Sequence, residues 1–168
     1  SALTELWNGT NWTEVADLST ARFELTGNGT SNAGAFAAGG AASPPPNLGV
    51  TEEWTGAGTV EVGAWSTGGS LNTGRQQLAG AGTQTAAIGF GGELPGSNVT
   101  NTELWDGTSW TEVNDLNAAR ARMGYVGASN TAALCVTGLP PPSSNAAVEL
   151  WNGTNWTEVG DVNTARYA

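Results

Sequence analysis

The chain repeats one phrase, and the repeat limits its fold more than any single residue does. Glu-Leu-Trp, a turn opened by Asn-Gly or Asp-Gly, and a second Trp occupy residues 5–12, 103–110 and 149–156. A looser copy runs from Glu53-Trp54 to Trp65, with six extra residues between its tryptophans. In each copy an arginine stands ten residues after the second tryptophan: Arg22, Arg75, Arg120 and Arg166. The intervals between arginines are 53, 45 and 46 residues, the range of blade or solenoid units.

Within the unit from Arg75 to Trp110, short small-residue runs cover residues 76–81 and 83–91, with a break expected at Gly82. Gly91-Gly92 ends the second run, and residues 93–98 form a loop containing Pro95 and Gly96. A third run ends on Trp105, Asp106-Gly107 signals a hairpin turn, and a fourth run starts at Trp110. Four short strands joined by turns describe one antiparallel blade. No stretch carries a 3.6-residue apolar period, so the expected fold is all-β with helix content near zero.

The array divides into outer strands of a partial blade at 4–21 and blades at 22–65, 75–110 and 120–156. A further blade would start at 166–168. Small side chains such as Ala86, Ala87, Ala132 and Ala133 suit crowded inner strands, and the wider outer strands take the tryptophans. Three blades do not close a ring, which typically needs about four to eight. Completion by more chain or by another subunit is therefore expected.

Each unit also carries a glycine pair, a variable loop, an apolar-Glu-apolar-aromatic strand and a short turn. A tryptophan follows, then an aliphatic residue six later and an arginine four after that. The series reads Trp12, Leu18, Arg22, Gly39-Gly40; Trp65, Leu71, Arg75, Gly91-Gly92; Trp110, Leu116, Arg120; and Trp156, Val162, Arg166. This pattern resembles the kelch repeat of β-propellers. Two departures stand out: tryptophan replaces the usual tyrosine of the third strand, and the third glycine pair reads Thr137-Gly138. The Asn-Gly-Thr and Thr-Ala-Arg phrasing also resembles kelch-like proteins of marine phages and metagenomes. That likeness implies a virion surface or extracellular setting, such as a tail fibre.

Fifteen acidic residues face five arginines, lysine is absent, and the net charge is -10. Such a surface repels phosphate backbones, so nucleic acid is not an expected partner. No apolar run approaches the roughly 18 residues of a membrane-spanning helix, so no membrane partner is expected either. Histidine is absent, which removes imidazole bases and ligands. The copper oxidases built on kelch-type propellers need histidine ligands, so that chemistry does not carry over. The lone Cys135 lies in an apolar run and reads as a core residue. No catalytic constellation, cofactor or metal is expected.

Trp7, Trp12, Trp54, Trp105, Trp110, Trp151 and Trp156 read as packing between blades, since each tryptophan buries about 150–250 Å². Trp65, in the irregular copy, is the candidate for stacking on a sugar. The recurring arginines either line an anion site or pair with carboxylates. Those carboxylates are Glu5, Glu52 or Glu53, Glu103 and Glu149, or alternatively Asp17, Asp115 and Asp161. Arg122 breaks the pattern and reads as the freest cation in the chain.

Recognition belongs to the loops after the second strands, at 41–49, 93–98 and 139–146, all emerging on one face. Their candidate contacts are Pro44, Pro45, Pro46, Asn47, Pro95, Asn98, Pro140, Pro141 and Pro142. The expected partner is a protein or glycan on a cell or virion surface. A lectin and a protein-interaction scaffold are the alternatives. The insertion at 55–64, with Val60 and Val62 flanking Glu61, is expected to extend its hairpin, either as a neutral surface insertion or as a rim for docking.

Overall fold

A computed structural model describes residues 1–56, 63–139 and 145–167. Its elements are strands throughout, with no helix among the described residues. A two-stranded hairpin comes first, β1 (Glu5–Trp7) and β2 (Trp12–Glu14). The first sheet comprises β3 (Thr26–Ser31), β4 (Gly34–Ala38), β5 (Thr51–Gly56) and β6 (Gly63–Thr67).

The second sheet begins with β7 (Ala79–Thr83) and β8 (Ala86–Phe90). A small hairpin follows, β9 (Glu93–Leu94) with β10 (Ser97–Asn98). The sheet resumes with β11 (Thr102–Trp105) and β12 (Trp110–Glu112). The third sheet is β13 (Gly124–Ser129), β14 (Ala132–Val136), β15 (Val148–Trp151) and β16 (Trp156–Val159). Each four-stranded sheet is an antiparallel meander in chain order, with β9 and β10 standing outside the second.

The turn chemistry expected from Asp-Gly and Asn-Gly is present. Asp106 Oδ1 accepts the backbone N–H groups of Thr108 and Ser109, both at 2.8 Å, and Gly107 takes φ 94°. These bonds hold the Asp106 carboxyl below its usual range, the Ser109 amide first among them. Asn8 and Asn152 close the equivalent turns in the same way. The third-to-fourth hairpins accordingly share one register, with Trp7 opposite Trp12, Trp54 opposite Trp65, Trp105 opposite Trp110 and Trp151 opposite Trp156. In the irregular copy the pairing continues to Thr55–Ala64 and Gly56–Gly63. Val60, Glu61 and Val62 lie outside the described residues.

Two sequence expectations need correcting. The break in the second sheet falls at Gln84–Thr85, not at Gly82, which lies inside β7 opposite Ala87. Gly82 is a glycine because the strand runs through φ 114° there. The crowded strands are also not those of Ala86, Ala87, Ala132 and Ala133, which belong to β8 and β14. First strands make the close approach, β3 against β7 and β7 against β13. A Cβ at Gly80 would sit 2.6 Å from Thr26 Oγ1, and one at Gly127 would sit 2.9 Å from Ala81 Cβ. Only glycine permits that spacing.

Tryptophans fill the wider gaps between sheets. One core holds Phe36, Ala38, Leu71, Leu78, Ala87, Trp105 and Trp110 between the first and second sheets. The other, between the second and third, includes Ile88, Phe90, Leu116, Met123, Cys135, Trp151 and Trp156. Trp54 is buried as well, whereas Trp7 and Trp12 of the first hairpin are exposed. Cys135 is fully buried, and desolvation pushes its thiol up to about 11.

Candidate functional site

The arginine of each repeat is the anchor from which the site is built. Arg22 Nη2 lies 3.0 Å from Glu52 Oε1, Arg75 Nη1 lies 2.5 Å from Glu103 Oε1, and Arg120 pairs with Glu149. All six side chains are buried. Burial lowers the Arg22 pKa from its usual value, and the Glu52 charge opposes that shift. The second carboxylate oxygen accepts the backbone N–H of Ser19, Asn72 or Asn117 three residues ahead of each arginine. Of the two pairings open in the sequence, the glutamate set is the one formed. Asp17 and Asp115 instead accept the backbone N–H of Thr4 and Thr102, fixing the start of a third strand. Glu5 and Arg166 are both exposed.

The clamp fixes the chain just after each arginine. Phe23, Gln76 and Ala121 bridge to Ala41, Glu93 and Leu139 in the loop after the second strand. The next residues, Glu24, Gln77 and Arg122, take φ values of 54°, 54° and 52°. A left-handed conformation at a residue other than glycine is uncommon and is found at functional sites, where the surroundings enforce it. Here it recurs at three equivalent positions.

The three residues are bonded in series. Gln77 N–H donates to the Glu24 carbonyl at 2.9 Å, and Arg122 N–H donates to the Gln77 carbonyl at 3.2 Å. Their side chains repeat the order: Gln77 Nε2 donates to Glu24 Oε2 at 3.0 Å, and Arg122 Nε donates to Gln77 Oε1 at 2.9 Å. A carboxylate, an amide and a guanidinium thus form one line across the three sheets. Leu25, Leu78 and Met123 lie beside them, lining a cavity of about 470 Å³. A second groove, about 510 Å³, shares Glu24, Gln77 and Arg122 and extends outward to Phe23, Pro45, Asn47, Gln76 and Pro95.

Two of the predicted recognition loops therefore meet at this groove. Pro44, Pro45, Pro46 and Pro95 are exposed, with Pro45 and Pro95 on its wall. Asn47 and Asn98 act within the scaffold: Asn47 Nδ2 donates to the Glu93 carbonyl at 2.8 Å, and Asn98 Nδ2 donates to the Leu139 carbonyl. Each ties its loop to the corresponding loop of the next sheet. Pro140, Pro141 and Pro142 lie outside the described residues.

Trp65 is half-buried and donates Nε1 to Thr4 Oγ1 at 3.0 Å. Trp110 and Trp156 make the equivalent bonds to Thr51 and Thr102. Trp65 thus keeps the packing role of its siblings and takes no part in the groove.

Phe23, Glu24, Gln76 and Gln77 were not singled out in the sequence, and Arg122 stood out there as the freest cation outside the repeat, whereas its Nε is bonded to Gln77. The available signal was positional, since Glu24, Gln77 and Arg122 each stand two residues after a repeat arginine. Compared with known proteins, the chain matches no family model and no curated protein. The kelch-like resemblance rests on the recurring positions themselves.

Proposed function

We propose that the three sheets are successive blades of a β-propeller of kelch-like type, and that the chain is a non-enzymatic recognition module. Its ligand is a protein or glycan on a cell or virion surface, seated in the groove along Glu24, Gln77 and Arg122. The observation that carries this reading is the recurrence of a left-handed non-glycine residue at three equivalent positions lining one groove. An ordinary turn would place glycine there at no steric cost. Instead the positions carry an acid, an amide and a base, which supply acceptors and donors in a fixed order.

The groove combines this polar line with the exposed ring of Phe23 and the faces of Pro45 and Pro95. Such walls suit a ligand with a flat apolar surface and a carboxylate or hydroxyl edge within reach of Arg122. Proline-stiffened walls lose little entropy on binding.

The test is a panel of surface glycans and surface proteins screened against the chain. Arg122→Ala removes a charge-assisted contact worth about 1.5–3 kcal/mol, or roughly tenfold to a hundredfold in affinity. Phe23→Ala weakens binding through lost apolar contact, and Trp65→Ala leaves the affinity of the folded protein unchanged. Binding indifferent to both Arg122→Ala and Phe23→Ala would remove the groove from the account.

A further inference from the structure

One repeat puts an aromatic ring where its siblings carry none. Phe23, Gln76 and Ala121 each follow a repeat arginine, and each bridges to the loop after the second strand. Phe23 N–H donates to the Ala41 carbonyl at 3.0 Å, and Ala41 N–H returns the bond at 2.9 Å. The ring so held is 47% exposed and belongs to neither tryptophan core. Packing does not call for an aromatic there, since buried Ala121 makes the same backbone bridge in the third sheet.

Polar groups share the groove with this ring. Phe23 lines it together with Gln76 of the second sheet and the Glu24–Gln77–Arg122 line. That line is held by its own bonds, because Gln77 spans Glu24 Oε2 and Arg122 Nε. Neither charged end then has to be ordered by a ligand. Among the described residues, Glu24 Oε1 and the Arg122 Nη groups have no hydrogen-bond partner, which leaves an acceptor and donors for a ligand.

Size and charge narrow the ligand. The groove, about 510 Å³, falls within the roughly 300–1,000 Å³ of small-ligand sites, whereas a stable protein partner needs a broad face of roughly 800 Å². Among its described residues, Glu24 and Glu93 face one guanidinium, Arg122, on a chain of net charge -10. An anionic ligand would meet like charges there and lose affinity. A hydroxyl both donates and accepts, so a neighbouring pair of hydroxyls can serve Glu24 and Arg122 together. The C–H face of a pyranose is apolar, and its weakly positive hydrogens suit the negative face of a phenyl ring.

We infer that the groove binds a neutral glycan, with one pyranose lying on Phe23 and its hydroxyls bonded to Glu24, Gln76 and Arg122. The inference rests on the groove being the recognition site and adds the chemical class of its ligand. Phe23 supplies the stacking face. The two carboxylates select uncharged hydroxyls over acidic groups.

An array of matched neutral and uronate-bearing oligosaccharides tests this, with purified cell-surface proteins as a separate arm and calorimetric titration of the best binder. A neutral oligosaccharide should bind, and its uronate counterpart should bind more weakly by roughly tenfold. Phe23→Leu should lose roughly tenfold although its apolar bulk remains, and Phe23→Tyr should recover that loss. Replacing Glu24 and Glu93 together by glutamine should narrow the gap between neutral and acidic glycans. Circular dichroism and urea unfolding check that each variant stays folded. Binding of acidic glycans alone, glycan binding indifferent to Phe23→Leu, or an array without a binder would each overturn the proposal. A protein bound through Phe23 and Arg122, with no glycan bound, would overturn the ligand class and leave the groove standing as the site.

Discussion

Arg75 Nη1 meets Glu103 Oε1 at 2.5 Å with neither side chain reached by solvent. The same glutamate accepts the Asn72 amide and side chain, and the same arginine donates to the carbonyls of Gly91 and Thr73. One ion pair thus joins the segment entering a sheet to its third strand and holds the chain leading to Gln77. A buried pair left with one partner is costly, whereas an exposed arginine is nearly neutral.

Arg75→Ala should therefore cost about 3–5 kcal/mol in chemical denaturation. Exposed Arg166→Ala should stay within about 0.5 kcal/mol. Replacing the pair together, as Arg75→Met with Glu103→Leu, should recover part of the loss. Recovery stays incomplete because the Asn72 amide then lacks its acceptor.

Glu53 stands where the other hairpins carry Leu6, Leu104 and Leu150, each opposite a threonine as Glu53 is opposite Ser66. Its Oε1 is buried without a hydrogen-bond partner, and desolvation raises the carboxyl pKa, an effect the nearby Trp105 indole offsets only in part. The folded chain thus holds this proton more tightly than the unfolded chain. The stability linked to it is present below the ordinary glutamate range and is lost as pH rises through the raised value. Glu53→Leu should raise the melting temperature at neutral pH, and the gain should shrink in acid. A gain that does not change with pH would contradict this assignment.

Much of the scaffold was legible because it repeats. Tryptophan and arginine spacing marked the hairpins, the clamps and the sheets between them, since large buried groups must recur wherever the same gap recurs. Gly82 misled because a glycine inside a strand at positive φ reads like a turn in sequence. Glu24, Gln77 and Arg122 escaped for a different reason. They share a backbone conformation and a hydrogen-bond line, but no side-chain chemistry links an acid, an amide and a base. Asn47 and Asn98 looked like loop contacts, and only the neighbouring sheet shows what their amides bind.

Thr137 takes φ 59° in the place of Gly39 and Gly91, with φ 68° and 59°. A β-branched residue in that region is strained by about 1–2 kcal/mol. Thr137→Gly should raise stability by about 1 kcal/mol once lost packing is subtracted. The reverse change, Gly91→Thr, should destabilise by more, because a Cβ there would lie 2.7 Å from the Arg120 carbonyl oxygen. Urea midpoints of the two variants check both signs.

The recognition groove can be tested by blocking it at one point, because buried Cys135, with its thiol raised to about 11, resists labelling in the folded chain. Ser43→Cys places a reactive thiol on the groove wall, and Thr131→Cys places one in the β13–β14 turn at the other end of a sheet. Each variant is coupled to a bulky maleimide and measured against the surface ligand found in the panel. The account predicts that the label at 43 abolishes binding and that the label at 131 leaves it intact. Full binding with residue 43 labelled, or loss only with residue 131 labelled, would contradict it.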